Sequence, residues 1–506
     1  MAYQAATGRV RPPANVINGL KLAQGYAVDI RSAMGGILMC PDDDRAADSD
    51  YHVQVRLAAA CVPSGRKVGP PTREQIGQII RSLPNKEPGI DGITARIVKA
   101  AWKVAASEMT LIYGKCIEEG VFPDVWKEGR LIVLPKGDGK ATDPKAYRPI
   151  TLLSVLGKVL EQLICECTPG LYSRISMRQH GFMKGRSTIT ALNAIQVTVN
   201  TSTHKYVHAI TLDISGAFDS AWWPMVLLKY KQGGCPPNIY RCLCSYFVSR
   251  RVGMFVGADA VWKTSTMGCP QSSVLGSTLW NVLLNDLLET SMPTGVGMVA
   301  YANDVTLLIE ADSREVIEAN ARVALERITD WRVRNLLCFS PRKTKSITFK
   351  GTLRRPPVIR MNGQSVTAVD NVKILGITID GKGSFAEHAL DIGERAAKCF
   401  GKMARVSSTS RGIRYKALKL LYRGTFVATL TYAASTWYHK AFLHVVSSRL
   451  LRTQRTSLVL LTKAYRSTST AALPILAGVL PADLKFIARA RSRRPEAIGL
   501  NRSSRR

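Results

Sequence analysis

Apolar positions along the chain change spacing several times. Short runs, alternating or unbroken, fall at Arg130-Leu131-Ile132-Val133-Leu134-Pro135, His208-Ala209-Ile210-Thr211-Leu212, Val296 to Tyr301, Val305 to Ile309, Ser346 to Phe349 and Lys373 to Ile379. Each has strand length and is rich in β-branched residues, which predicts strands. Between them, helical spacing predicts helices around 152–167, 188–200, 278–290 and 313–335. Thr72-Arg73-Glu74-Gln75 has the form of a capping box opening a further helix through Ile76, Ile79 and Ile80. After Asp380 the strand pattern stops, and helical periodicity prevails over Ala389 to Val406, Ala417 to Tyr432 and Val445 to Leu461. The pattern predicts a mixed α+β body followed by an all-helical end. Residues 1–70 carry turn-forming clusters such as Pro41-Asp42-Asp43-Asp44 and read as an N-terminal extension, while Arg489 to Arg506 reads as a frayed tail.

Charge narrows the function. The 506 residues are 46% hydrophobic and 21% charged, which excludes a wholly disordered chain. Lys and Arg number 70 against 37 Asp and Glu, a net charge of +33. Such an excess calls for a polyanion, and the usual one is nucleic acid. The imbalance is concentrated: from Glu394 to Arg506, 23 basic residues face three acids. No apolar run of spanning length, secretory signal or lipidation motif occurs, so an intracellular chain without a membrane partner is expected. Eleven irregularly spaced cysteines fit a reducing compartment. Cys165-Glu166-Cys167 and Cys242-Leu243-Cys244 are too closely spaced for a zinc knuckle and read as small buried hydrophobes. Gly137-Asp138-Gly139-Lys140-Ala141 lacks the leading Gly and following Ser or Thr of a phosphate-binding loop.

An acid at the end of an apolar strand in so basic a protein needs a reason. In Leu212-Asp213-Ile214-Ser215-Gly216-Ala217-Phe218-Asp219, Asp213 finishes the strand and Gly216 lets the chain turn into a helix. A second acid lies in Tyr301-Ala302-Asn303-Asp304, between two apolar runs that read as a hairpin presenting Asn303 and Asp304 at its tip. Two carboxylates on neighbouring strand ends suit Mg²⁺, a hard cation that favours oxygen ligands and substrate phosphates. Taken alone, each acid reads more simply as a turn residue or a helix cap.

Further motifs surround these acids in order. They are Lys86-Glu87-Pro88-Gly89-Ile90-Asp91-Gly92-Ile93; Lys136 with Ala146-Tyr147-Arg148-Pro149-Ile150-Thr151-Leu152-Leu153-Ser154; and Gln179-His180-Gly181-Phe182 through Gly185-Arg186-Ser187-Thr188. After Leu212 to Asp219 come Gly268-Cys269-Pro270-Gln271-Ser272-Ser273-Val274-Leu275-Gly276, Tyr301 to Asp304, Lys343-Thr344 and Leu375-Gly376. Over residues 70 to 490 the series resembles the reverse transcriptases of non-LTR (LINE-like) retrotransposons, closest to site-specific arthropod elements inserting in ribosomal genes or telomeric repeats.

The resemblance implies a right-hand polymerase with an N-terminal extension (1–70), fingers and part of the palm (71–205), a palm with an antiparallel sheet (206–384) and a basic helical thumb and tail (385–506). It implies an RNA-directed DNA polymerase working on an RNA template, a DNA primer and dNTPs, in the nucleus or cytoplasm, with two Mg²⁺ ions (or Mn²⁺) at Asp213 and Asp304. Lys136 and Arg148 match positions that hold the triphosphate, and Phe218 the residue that closes the sugar pocket against a ribose 2′-OH. Gln271 matches the residue under the template base and incoming nucleotide, and Lys343 a proposed acid for the departing pyrophosphate. The family's metal box reads Tyr-Ala-Asp-Asp; Asn303 replaces its first acid, removing one unit of compensating charge. A loss of about a hundredfold or more in rate is expected, at roughly tenfold per 1.4 kcal/mol. Ser272 replaces a usual Gly, where a Cβ would strain any special backbone angle, and Ser277 a usual Pro. An endonuclease module and a zinc knuckle known in relatives are not expected in this chain. The alternative is a catalytically inactive reverse-transcriptase-like protein that still binds RNA or hybrid.

Overall fold

A computed structural model of the chain describes residues 20–22, 25–27, 29–38, 42–136, 142–256, 259–340, 343–406 and 414–492. The 137–141 stretch and the part of the tail beyond 492 lie outside them. The described residues mix helices and sheets and form two compact units, each discontinuous in sequence. The first draws on 1–182, 214–291 and 326–340, the second on 183–213, 292–325 and 341–506.

In the first unit, helix Arg73–Ser82 starts at the expected capping box, Thr72 and Gln75 bonding each other's backbone N–H, and it buries Ile76, Ile79 and Ile80. The region read as an extension contributes helix Asp50–Ala60, which Ser49 caps and which buries His52, Val55 and Ala59. Its last turn is held by Lys231 and Tyr240, which donate to the Ala58 and Ala59 carbonyls. A four-stranded sheet has the order Tyr147–Leu152, Glu128–Pro135, Arg251–Val256, Asp259–Thr264. Helix Val155–Glu166 packs against helix Val274–Glu289. Cys165 and Cys242 are buried, Cys167 and Cys244 half-buried, and none is disulfide-bonded.

The second unit is built on a sheet of order Thr367–Ala368, Lys345–Lys350, Tyr206–Ser215, Asp304–Ala311, Val296–Tyr301. The central strand is buried along almost its whole length, as expected where both faces are covered. The predicted strand Lys373 to Ile379 is instead a hairpin of Asn371–Ile374 and Ile377–Asp380. Leu375 and Gly376 form its turn with φ of 47° and 86°, the two left-handed residues a tight hairpin favours. Helices follow: Ala386–Val406, Tyr415–Tyr422, His444–Thr462 and Ala482–Ser492. The helix expected over Ala417 to Tyr432 is interrupted, because a π-turn at Arg423–Val427 breaks its period. Trp437, fully buried, stacks on Phe385 and meets Phe486 at 4.2 Å between ring centres. Among the described residues no helix is long and apolar enough to cross a membrane.

Candidate active site

The eight side chains singled out from the sequence fall into two groups, one in each unit. In the second unit, strand Tyr206–Ser215 pairs antiparallel with Asp304–Ala311, and the last rung of that ladder sets Asp213 opposite Asp304. Directly opposed residues project from the same face with Cβ atoms about 5 Å apart. On the other edge Tyr301 also pairs with Asp304, so the hairpin turn consists of Ala302 and Asn303 alone. Asp304 therefore sits in the strand, not at the tip where the sequence pattern put it, because its pairing on both sides completes the ladder. Ala302 takes the left-handed backbone, φ 57°, that so short a turn requires. Lys345 pairs with Thr211, and two residues further along that register Lys343 donates from Nζ to Asp213 Oδ2 at 3.0 Å.

The electrostatics follow from this register. Like charges directly across a ladder repel. Burial, then the Asp213 carboxylate, push the Asp304 carboxyl above its ordinary range, and the Lys343 charge offsets part of this. Among the described residues no three His, Cys, Asp or Glu cluster as a metal site. The ladder brings two carboxylates together, and Asn303 adjoins Asp304 in the turn. Opposed carboxylates whose repulsion Lys343 relieves only in part, with their hard oxygen donors, fit a divalent cation such as Mg²⁺.

The first unit carries the other group. Leu134 pairs with Arg148, and the Lys136 N–H donates to the Ala146 carbonyl at 2.7 Å, extending the ladder by two residues. Strand alternation therefore puts Lys136 and Arg148 on one face of this pair, both exposed. Phe218 is half-buried, its ring 5.7 Å from Trp280 and edge-on to Phe182 at 5.6 Å. The chain after Gly216, which has φ 58°, does not enter a helix as expected. Residues 216–220 form turns, and the next helix begins at Trp223 with Pro224 in its first turn. Gln271 is exposed and leaves helix capping to Ser273, which accepts from the Gly276 N–H. Ser272 has no left-handed backbone, so the strain expected from its Cβ does not arise. Its hydroxyl donates to the Thr151 carbonyl.

Two acids were not assigned roles from the sequence. Glu161, fully buried, accepts the Val274 N–H at 2.6 Å and so holds the start of helix Val274–Glu289. Its signal was an acid on the otherwise apolar face of helix Val155–Glu166. Asp219 lies within hydrogen-bond range of Gln271. Its signal was an acid directly after Phe218, in the motif that also carries Asp213.

The strand-paired acids, the two-residue turn between the strands and Lys343 all lie within the span matched by a known family. Residues 134–379 match the family model described as reverse transcriptase (RNA-dependent DNA polymerase). The chain is 35% identical over 410 residues to the Retrovirus-related Pol polyprotein from type-1 retrotransposable element R1 of Bradysia coprophila, covering 80% of this chain and 41% of that protein. It is 32% identical over 408 residues to the putative 115 kDa protein in type-1 retrotransposable element R1DM of Drosophila melanogaster, covering 80% and 40%. To the RNA-directed DNA polymerase from mobile element jockey of Drosophila melanogaster it is 26% identical over 426 residues, covering 82% and 45%. The chain thus spans less than half the length of these relatives. Residues 134–379 carry a reverse-transcriptase domain, and the chain is similar beyond it to proteins of the R1 and jockey elements.

Proposed function

We propose that this chain is the RNA-directed DNA polymerase core of its element, extending a DNA primer on an RNA template with dNTPs. The observation that carries the reading is the rung that sets Asp213 against Asp304 beside the Ala302-Asn303 turn. On this reading 71–205 supply fingers, 206–384 the palm and 385–506 a basic thumb that grips the duplex by its phosphates. Asp213 and Asp304, with the Asn303 amide oxygen, would hold two Mg²⁺ ions, or Mn²⁺. When bound, such ions activate the attacking 3′-hydroxyl and stabilise the charge on the leaving pyrophosphate.

The remaining work falls to the chain's own side chains. Lys136 and Arg148, exposed on one face, attract the triphosphate, the Arg fork gripping its oxygens and the Lys acting as a point charge. Phe218, braced by Trp280, presents a ring that rejects a ribose 2′-OH. Gln271 lies under the templating pair. Lys343, whose ammonium is 69% exposed beside Asp213, donates a proton to the departing pyrophosphate.

Asn303 favours one competing reading, a protein that binds RNA or hybrid without turnover, because the amide carries none of the charge of a third acid. Primer extension on an RNA template separates the two. The polymerase reading expects measurable dNTP incorporation that Asp213→Ala abolishes. If parent and variant both fail to extend while salt-sensitive RNA binding persists, the binding reading replaces it.

A further inference from the structure

The carboxylate of Asp219 poses a problem for the nucleotide-binding reading, because an acid near a triphosphate repels it. Its surroundings suggest what it does. The turn 216–221 and the loop starting at Gly268 are tied together by backbone hydrogen bonds. The Cys269 N–H donates to the Phe218 carbonyl at 2.6 Å and the Gly268 N–H to the Ala221 carbonyl at 2.8 Å. The Trp223 indole N–H donates to the Gly268 carbonyl at 2.7 Å. Gly268 has φ 91°, and a Cβ there would lie 2.5 Å from the Asp219 carbonyl oxygen, so the two segments meet at backbone contact. Ser272 and Glu161 fix the far end of the same loop through Thr151 and Val274.

Within this block Gln271 and Asp219 also join the two segments through their side chains. Gln271 Nε2 donates to Asp219 at 3.4 Å to Oδ1 and 3.5 Å to Oδ2, a long bond shared between both oxygens. Burial pushes the Asp219 carboxyl above its ordinary range, and the Gln271 bond and then the Lys136 charge oppose this. Asp219 thus bonds one of the groups assigned to the incoming nucleotide, Gln271, while its own turn carries another, Phe218.

We propose that Asp219 is a positioning residue of the nucleotide site: its carboxylate holds the Gln271 amide in the arrangement that receives the dNTP. This rests on the polymerase reading above and adds to it a residue that acts through its neighbours. A plain electrostatic role has the opposite sign, because deleting a repelling acid should tighten triphosphate binding.

The test is a dead-end complex of the full chain with a dideoxy-terminated DNA primer on an RNA template, titrated with the next correct dNTP in Mg²⁺ buffer. Asp219→Ala should weaken dNTP affinity by about tenfold, the lower end of the cost of a hydrogen bond to a charged group. Primer–template affinity should stay unchanged. Asp219→Asn, which keeps an acceptor for Gln271 and loses the charge, should fall between, and it decides the matter if the Ala variant fails to fold. Because Asp219 acts through Gln271, adding Asp219→Ala to Gln271→Ala should cost less than it does alone. Tighter or unchanged dNTP binding, fully additive effects, or an equal loss of primer–template affinity would each overturn the proposal. If neither the parent nor Asn303→Asp forms a nucleotide-dependent complex, the polymerase reading itself falls and this inference with it.

Discussion

The two groups of site side chains are held by different means. Asp213 and Asp304 face each other because a buried strand register places them there, and the core beneath does not depend on their carboxylates. Phe218, Asp219 and Gln271 sit on a turn and a loop whose backbones are joined by hydrogen bonds and by a glycine with no room for a Cβ. The sheet site is therefore chemically strained and structurally indifferent. The loop site is chemically mild and structurally demanding.

The largest expected effect sharpens that contrast. Asp213→Ala should reduce incorporation by about a thousandfold or more, since metal-borne charge stabilisation is worth several kcal/mol. Its melting temperature should stay close to the parent's, as a calorimetric scan would show. A fall in stability comparable to a core deletion would break the contrast.

Gly268→Ala should do the reverse. With a left-handed backbone and a Cβ at 2.5 Å from the Asp219 carbonyl, it should cost the first unit about 2–4 kcal/mol in denaturant titration. Any activity it loses should track unfolding. A variant as stable as the parent would show that the two segments part easily.

Phe218→Ala should relax sugar selection, raising ribonucleotide use relative to deoxynucleotide by about tenfold to a hundredfold in single-nucleotide incorporation. Unchanged selection would assign the ring to packing on Trp280 alone.

The smallest effect concerns pH. Asp304 has a raised folded-state pKa, so its protonated form favours the fold. That stability is fully present below the ordinary carboxylate value of 3.8 and is lost as pH rises through the raised folded value. In metal-free buffer Asp304→Asn should therefore melt higher than the parent at pH 7, and the gap should close below pH 3.8. A gap that persists in acid would show that the Asp304 charge is not its cause.

How much of this the sequence reveals follows the same division. Strand Val296–Tyr301 has the predicted bounds, and the Thr72 capping box forms as read, because both signals are local. The carboxylate pair was legible for a related reason: Asp213 lies near the end of one apolar run and Asp304 at the start of another. The turn after Gly216 was not legible, since it is shaped by bonds to a loop about fifty residues away in sequence. Leu375-Gly376 hid inside an apolar run because leucine seldom takes a left-handed backbone. Helix Asp50–Ala60 buries only three residues and carries little periodicity. Asp219 lay in a recognised motif, but its partner Gln271 became visible only with coordinates.

The claim on which the account turns is that Asn303 occupies a charge-bearing position beside Asp213 and Asp304. It is tested most directly by the single-nucleotide incorporation rate of Asn303→Asp against the parent, on one RNA template and at saturating Mg²⁺. The account predicts a rise of about a hundredfold, the return of one unit of compensating charge. A robust parental rate that the added carboxylate leaves unchanged would contradict it.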